Sequence, residues 1–176
     1  MTGGSKKQVA AKVARRPYKL ASWTHSWGRD FYRKHVIQWL EAAWADTVAR
    51  FPATAKEMLD AVPPRYRLAG TGFTKVTLAL NNPTPLHYDD NNFGVTFLQA
   101  FDVNGDLASG RGTHVLVDRD FGAAVQVRDR ALTGVVTLGD YRRVLHANRA
   151  VGEGEGERFI MTAYCSMTLV DLVRPR

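Results

Sequence analysis

Pro63-Pro64 is the feature that most limits how this chain can fold. Consecutive prolines withhold two backbone donors and force the preceding backbone to be extended, so no helix runs through them. On their C-terminal side, turn clusters cut the sequence into short stretches: Asn81-Asn82-Pro83, Asn104-Gly105-Asp106, Ser109-Gly110, Leu138-Gly139-Asp140 and Gly152 through Gly156. Gly, Asn, Asp and Pro supply the backbone conformations that turns require. The stretches between them are rich in β-branched and aromatic residues, which predicts strands. They are Phe73 to Leu80, Gly94 to Phe101, Thr113 to Val117, Ala123 to Val127, Gly134 to Leu138, Arg143 to His146 and Arg158 to Leu169. No C-terminal helix is expected.

The N-terminal side reads differently. Val36, Leu40, Ala43, Trp44 and Val48 recur at three- and four-residue spacing, which predicts one apolar stripe on a helix between Phe31 and Phe51. A second helix is expected from Thr54, as its cap, to Ala61. Two helices followed by six or seven short strands predict an α+β chain, a double-stranded β-helix (jelly roll) core with N-terminal buttressing helices. Trp39 and Trp44 are expected to pack those helices on the sheet, and Trp23 and Trp27 to do the same or to stack on bases.

Charge is distributed unevenly. Nine basic residues fall before residue 35, against Asp30 alone, and the rest of the 176-residue chain is almost neutral within a net charge of +7. The expected organisation is a basic flexible arm over 1–20 and one domain over 21–176. An arm of this kind tracks phosphates with salt-sensitive affinity, solubilises, or serves as an address. The lone Cys165 excludes an internal disulfide and predicts a reducing, intracellular compartment, the arm allowing a nucleus. No apolar run approaches the ~20 residues of a membrane span, and none follows the early lysines as a secretory signal would.

Chemistry concentrates in Pro85-Leu86-His87-Tyr88-Asp89-Asp90. In extended backbone, residues i and i+2 share a face, so His87 and Asp89 can meet one ion whereas Asp90 turns away. Alone, His-x-Asp is equally a surface turn. Two further residues change that balance: His146, closing a predicted strand, and Arg158, opening the next one. Two imidazoles and one carboxylate form a facial triad that leaves three positions open on a six-coordinate metal. An arginine deeper in the barrel is a bidentate fork for a carboxylate. Together these parts describe a site for Fe(II) and a dicarboxylic oxo-acid.

The order and spacing resemble the Fe(II)/2-oxoglutarate-dependent dioxygenases. More narrowly, Phe73 to Thr77, Asn82 to Asp89 and Asn92-Phe93-Gly94 resemble the TET/JBP branch, over about residues 65 to 170. The resemblance implies His87, Asp89 and His146 as iron ligands and catalytic centre, with Fe(II), 2-oxoglutarate and O2 as cofactor and co-substrates. It implies Arg158 on the distal carboxylate of 2-oxoglutarate, assisted by the hydroxyl of Thr162 or of Thr77. The implied reaction oxidises the methyl of 5-methylcytosine in DNA to hydroxymethylcytosine, or further, on a base flipped out of the duplex. Tyr88, Asn91, Asn92 and Phe93 follow the ligands and are candidates for the substrate mouth, or else an Asx-rich turn with a packing aromatic. His114 is either a substrate contact or a structural histidine. His25 and His35 are given no catalytic role. Gly152 to Glu157 reads as an acidic hairpin loop and not a phosphate cradle, since its glutamates repel phosphate.

Two other functions stay open at this stage. One keeps the oxygenase fold and changes the substrate (protein, RNA, small molecule) or the co-substrate. The other is a non-catalytic jelly-roll module whose basic arm contacts nucleic acid. A binding module has no need of two histidines and an aspartate at this spacing.

Overall fold

The computed structural model describes residues 32–102, 114–118, 123–127, 136–151 and 158–174. The basic arm over 1–20, His25, Trp23, Trp27, the Asn104 and Ser109 turns and the acidic segment over 152–157 lie outside the described residues. A π-helical turn (Tyr32–Val36) leads into α1 (Ile37–Arg50), followed by α2 (Pro52–Ala61) and a short 3-10 turn (Pro64–Tyr66). Then come β1 (Lys75–Leu80), β2 (Thr84–His87), β3 (Asn92–Asp102), β4 (His114–Asp118), β5 (Ala123–Val127), β6 (Val136–Gly139), β7 (Leu145–Asn148) and β8 (Arg158–Ser166), and finally α3 (Met167–Val173).

The strands form two four-stranded sheets, ordered β1-β8-β3-β6 and β2-β7-β4-β5. The paired strands run antiparallel. Alternation along β3 and β8 builds the two faces of the first sheet. Val95, Phe97, Met161, Ala163 and Cys165 point to one side, where they are buried against Leu40 and Ala43 of α1, Met58 of α2 and Leu169 and Val170 of α3. Removing a side chain such as Leu40 or Phe73 from water, as here, stabilises by about 1.5–3 kcal/mol each. Thr96, Leu98, Ile160, Thr162 and Tyr164 point to the other side and line a cavity. Trp39 meets Phe97 edge-on at 5.3 Å and donates its indole N–H to Gln99 at 2.6 Å, and Trp44 meets Phe73 edge-on at 5.4 Å. The two described tryptophans thus anchor α1 on the sheet, as expected.

Several local expectations are corrected. Thr54 lies inside α2, which starts instead at Pro52, whose fixed φ suits a first helical position. Val48 is 43% exposed, and Thr47 takes the buried place with its hydroxyl satisfied by the Ala43 carbonyl at 2.8 Å. Thr84–His87 is a strand despite Pro85, because β2 is a sheet edge where a missing donor is tolerated.

The last predicted strand stops at Ser166, and a C-terminal helix follows it. That helix is capped from across the fold. The Asn91 carbonyl accepts from the Met167 amide at 2.7 Å, and Asn91 Oδ1 accepts from the Thr168 amide and hydroxyl at 3.0 and 2.6 Å. These bonds satisfy donors that a helix start leaves open. Gly94 sits at the register shift of β3 against β8 with φ +71°, and a Cβ there would stand 2.7 Å from Met58 Cγ. Only glycine meets both conditions without strain.

Candidate metal centre

The register of β2 against β7 places His87 directly opposite His146. Asp89 lies just beyond β2, its amide donating to the Tyr141 carbonyl at 3.0 Å. One ligand atom from each of His87, Asp89 and His146 can be chosen so that all lie within 4.8 Å of one another. His87 Nε2 stands 3.4 Å from Asp89 Oδ1, and His146 Nε2 stands 3.8 Å from Asp89 Oδ2. Asp90 lies outside this cluster, though it borders the same cavity.

Backbone carbonyls fix which ring nitrogen carries the proton. His87 Nδ1–H donates to the Pro85 carbonyl at 2.7 Å, and His146 Nδ1–H donates to the Val144 carbonyl at 3.0 Å. Both rings therefore present an Nε2 lone pair to the cluster, the arrangement that metal-binding histidines need. Burial pushes the His146 pKa down, and the nearby His87 adds to this, while the Val144 carbonyl and Asp89 oppose it. The ring is thereby kept neutral and able to ligate near pH 7. Asp89 is held as well: Asn92 Nδ2 donates to Asp89 Oδ2 at 2.8 Å and to Thr96 Oγ1 at 2.9 Å. With Oδ2 bonded, Oδ1 is the more available oxygen. The donor set, two imidazoles and a carboxylate, suits a borderline divalent cation such as Fe(II).

The cluster opens into a cavity of about 480 Å³ between the two sheets. Thr77 and Thr162, the two hydroxyls the sequence offered for the oxo-acid, are cross-strand partners, and both line it. Tyr88, Asn91 and Asn92 line it too. Two of these have structural duties: Asn91 caps α3, and Asn92 holds Asp89. Phe93 packs into the core against the helices and is not a cavity wall.

His114 is buried behind the wall, where its ring nitrogens meet Asn148 Oδ1 at 2.9 Å and Tyr141 Oη at 3.2 Å. Arg158 is 1% exposed and is not a wall residue either. Its backbone amide donates to Asn81 Oδ1 at 2.7 Å and its Nη2 to the Asn82 carbonyl at 3.4 Å. Asn82 in turn lines the cavity, so the guanidinium stands immediately behind that wall.

Sequence reasoning missed Tyr141 and Asn148. The Tyr141 ring stands edge-on to His146 at 4.5 Å, and burial pushes its hydroxyl up to about 12. Its hydroxyl and that of Thr137 are 2.6 Å apart. Asn148 was within reach of the sequence, being i+2 from His146 on one strand face. Tyr141 lies in the turn that follows β6 and carried no such signal.

No protein-family model matches the chain, and no curated protein matches it. Among solved structures, "NgTET1 in complex with 5mC DNA" aligns with a TM-score of 0.60 at 12% identity. The alignment covers 84% of this chain and 55% of that one, so this chain spans about half the length of that protein. At this identity the likeness is one of fold. A hydroxypropylphosphonic acid epoxidase from S. wedmorenis, in complex with fosfomycin, aligns at a TM-score of 0.31 and 16% identity, over 51% of this chain and 42% of that one. That second likeness is too slight to bear on the fold.

Proposed function

We propose that this chain is a non-haem Fe(II) oxygenase of the TET/JBP-like kind, which uses 2-oxoglutarate and O2 to oxidise the methyl group of 5-methylcytosine in DNA. The observation that carries the reading is the His87–Asp89–His146 cluster, with the Nε2 atoms of both histidines 3.4 and 3.8 Å from the Asp89 carboxylate, at a cavity between two sheets. The strand orders β1-β8-β3-β6 and β2-β7-β4-β5 support a jelly-roll core. The fold likeness to a protein solved with 5mC DNA supports the nucleic-acid substrate, and the basic residues before position 35 suit a phosphate backbone.

Iron with an oxo-acid and O2 supplies the oxidising power to hydroxylate an unactivated methyl group. The chain's own residues do the rest. His87, Asp89 and His146 would hold the metal at the cavity wall. The Pro85 and Val144 carbonyls and Asn92 keep those three ligands aimed. Arg158, behind Asn82, is the cation for the distal carboxylate of the oxo-acid, with Thr162 or Thr77 as a hydroxyl partner. Leu98 and Ile160 make part of the cavity wall apolar.

The test is mass spectrometry of nucleosides from methylated duplex DNA incubated with the protein and Fe(II), with and without 2-oxoglutarate. Hydroxymethylcytosine that depends on 2-oxoglutarate is the expected product. Succinate without any altered base keeps the oxygenase and removes the DNA substrate. A modified base that requires another co-substrate removes the role of Arg158.

A further inference from the structure

Asn148 follows His146 by two positions on β7 and faces the same cavity. It is paired with Thr84 of β2, across a register shift from the His87–His146 pair. Its amide is locked at both ends. Oδ1 faces His114 Nδ1 at 2.9 Å, while Nδ2 donates to Thr84 Oγ1 at 3.0 Å. With the amide in this orientation, Asn148 Oδ1 accepts from His114 Nδ1–H. Turning the amide over would set its NH2 against that N–H. His114 is held in its turn by the Tyr141 hydroxyl at 3.2 Å and is 3% exposed.

An amide nitrogen has two hydrogens, and Thr84 takes one. The other has no acceptor among the described residues, and Asn148 borders the cavity. A donor at a cavity wall is completed by water or by a ligand oxygen. Its position says which ligand. On one side lies the His87–Asp89–His146 cluster. On the other lie Thr84 and Asn82, and behind Asn82 the Arg158 guanidinium. A molecule that reaches from the metal towards that cation passes Asn148.

We propose that Asn148 is a binding residue for the oxo-acid co-substrate, donating its second amide hydrogen to an oxygen of that acid between the metal cluster and Arg158, and that His114 is the positioning residue that keeps the amide turned to do so. This inference rests on the oxo-acid reading of the site.

The experiment is calorimetric titration of 2-oxoglutarate into the full chain loaded with Mn(II), which holds the site without turnover, alongside a separate Mn(II) titration. Losing one hydrogen bond to a charged acceptor, Asn148→Ala is expected to weaken 2-oxoglutarate by about tenfold or more. Mn(II) affinity should stay within about twofold. Asn148→Asp, which offers a carboxylate of the same shape, should weaken the acid at least as much without weakening Mn(II). His114→Ala should fall between Asn148→Ala and the parent, since the amide survives but is free to turn.

Unchanged 2-oxoglutarate affinity in Asn148→Ala, with Arg158→Ala weakened, overturns the role of Asn148 and keeps the oxo-acid. Normal affinity in Asn148→Asp overturns it as well. If the parent protein binds Mn(II) but no 2-oxoglutarate, the oxo-acid reading and this proposal fall together.

Discussion

Asn92 offers a quantitative test of how the metal centre is held. It is 4% exposed, and its Nδ2 donates to Asp89 Oδ2 at 2.8 Å and to Thr96 Oγ1 at 2.9 Å. Asn92→Ala removes a hydrogen bond to a charged acceptor, an interaction of about 1.5–3 kcal/mol. It also lets the carboxylate rotate, so that Oδ1 is no longer the favoured oxygen. At about 1.4 kcal/mol per factor of ten, the loss corresponds to roughly 10–100-fold in metal affinity, the range seen when a ligand's hydrogen-bonding partner is removed. The assay is Mn(II) titration followed by calorimetry, with a thermal melt of the metal-free protein as a check on folding. A variant that stays folded and binds Mn(II) within twofold of the parent would refute the claim that Asn92 aims Asp89.

Three other outcomes are expected. Gly94→Ala must adopt φ +71° and crowd Met58, at a cost of about 2 kcal/mol or more, so the melting temperature should drop by about 4–8 °C; an unchanged melt would refute the backbone argument. Asn91→Ala uncaps α3 and should cost about 1 kcal/mol, with a small loss of helical far-ultraviolet signal; intact stability would show that water caps that helix equally well. Burial pushes His114 and His146 below the usual histidine value, so the unfolded chain takes up protons that the folded chain refuses. Stability of the metal-free protein should therefore be level above about pH 6.5 and fall as the pH drops below it, as urea midpoints at successive pH values would reveal.

The parts of the site that follow from backbone periodicity were legible in the sequence. His87 and Asp89 are separated by two, and the structure brings them together with His146, with Asp90 left out. The long β-branched runs became strands, and Trp39 and Trp44 joined helix to sheet. What escaped was set by partners distant in sequence. The α3 cap is Asn91, more than seventy residues upstream, so nothing near Met167 announces a helix. β2 carries a proline that is harmless only because the strand lies at an edge, a fact of topology and not of local composition. Behind the ligands, His114 was visible as a candidate and Asn148 as i+2 from His146, but the hydrogen bonds that join His114 to Asn148 and Tyr141 link residues distant in sequence. Among the described residues, no helix is long and apolar enough to cross a membrane, which agrees with the absence of long apolar runs.

The central claim is that His87, Asp89 and His146 form one divalent-metal site. The measurement that tests it most directly is the stoichiometry and affinity of Mn(II) binding to the full chain, set beside His146→Ala. The parent should bind one equivalent, and the variant should lose it while remaining folded by circular dichroism. Parent-like binding in His146→Ala would contradict it, as would a folded parent that binds no divalent metal at all.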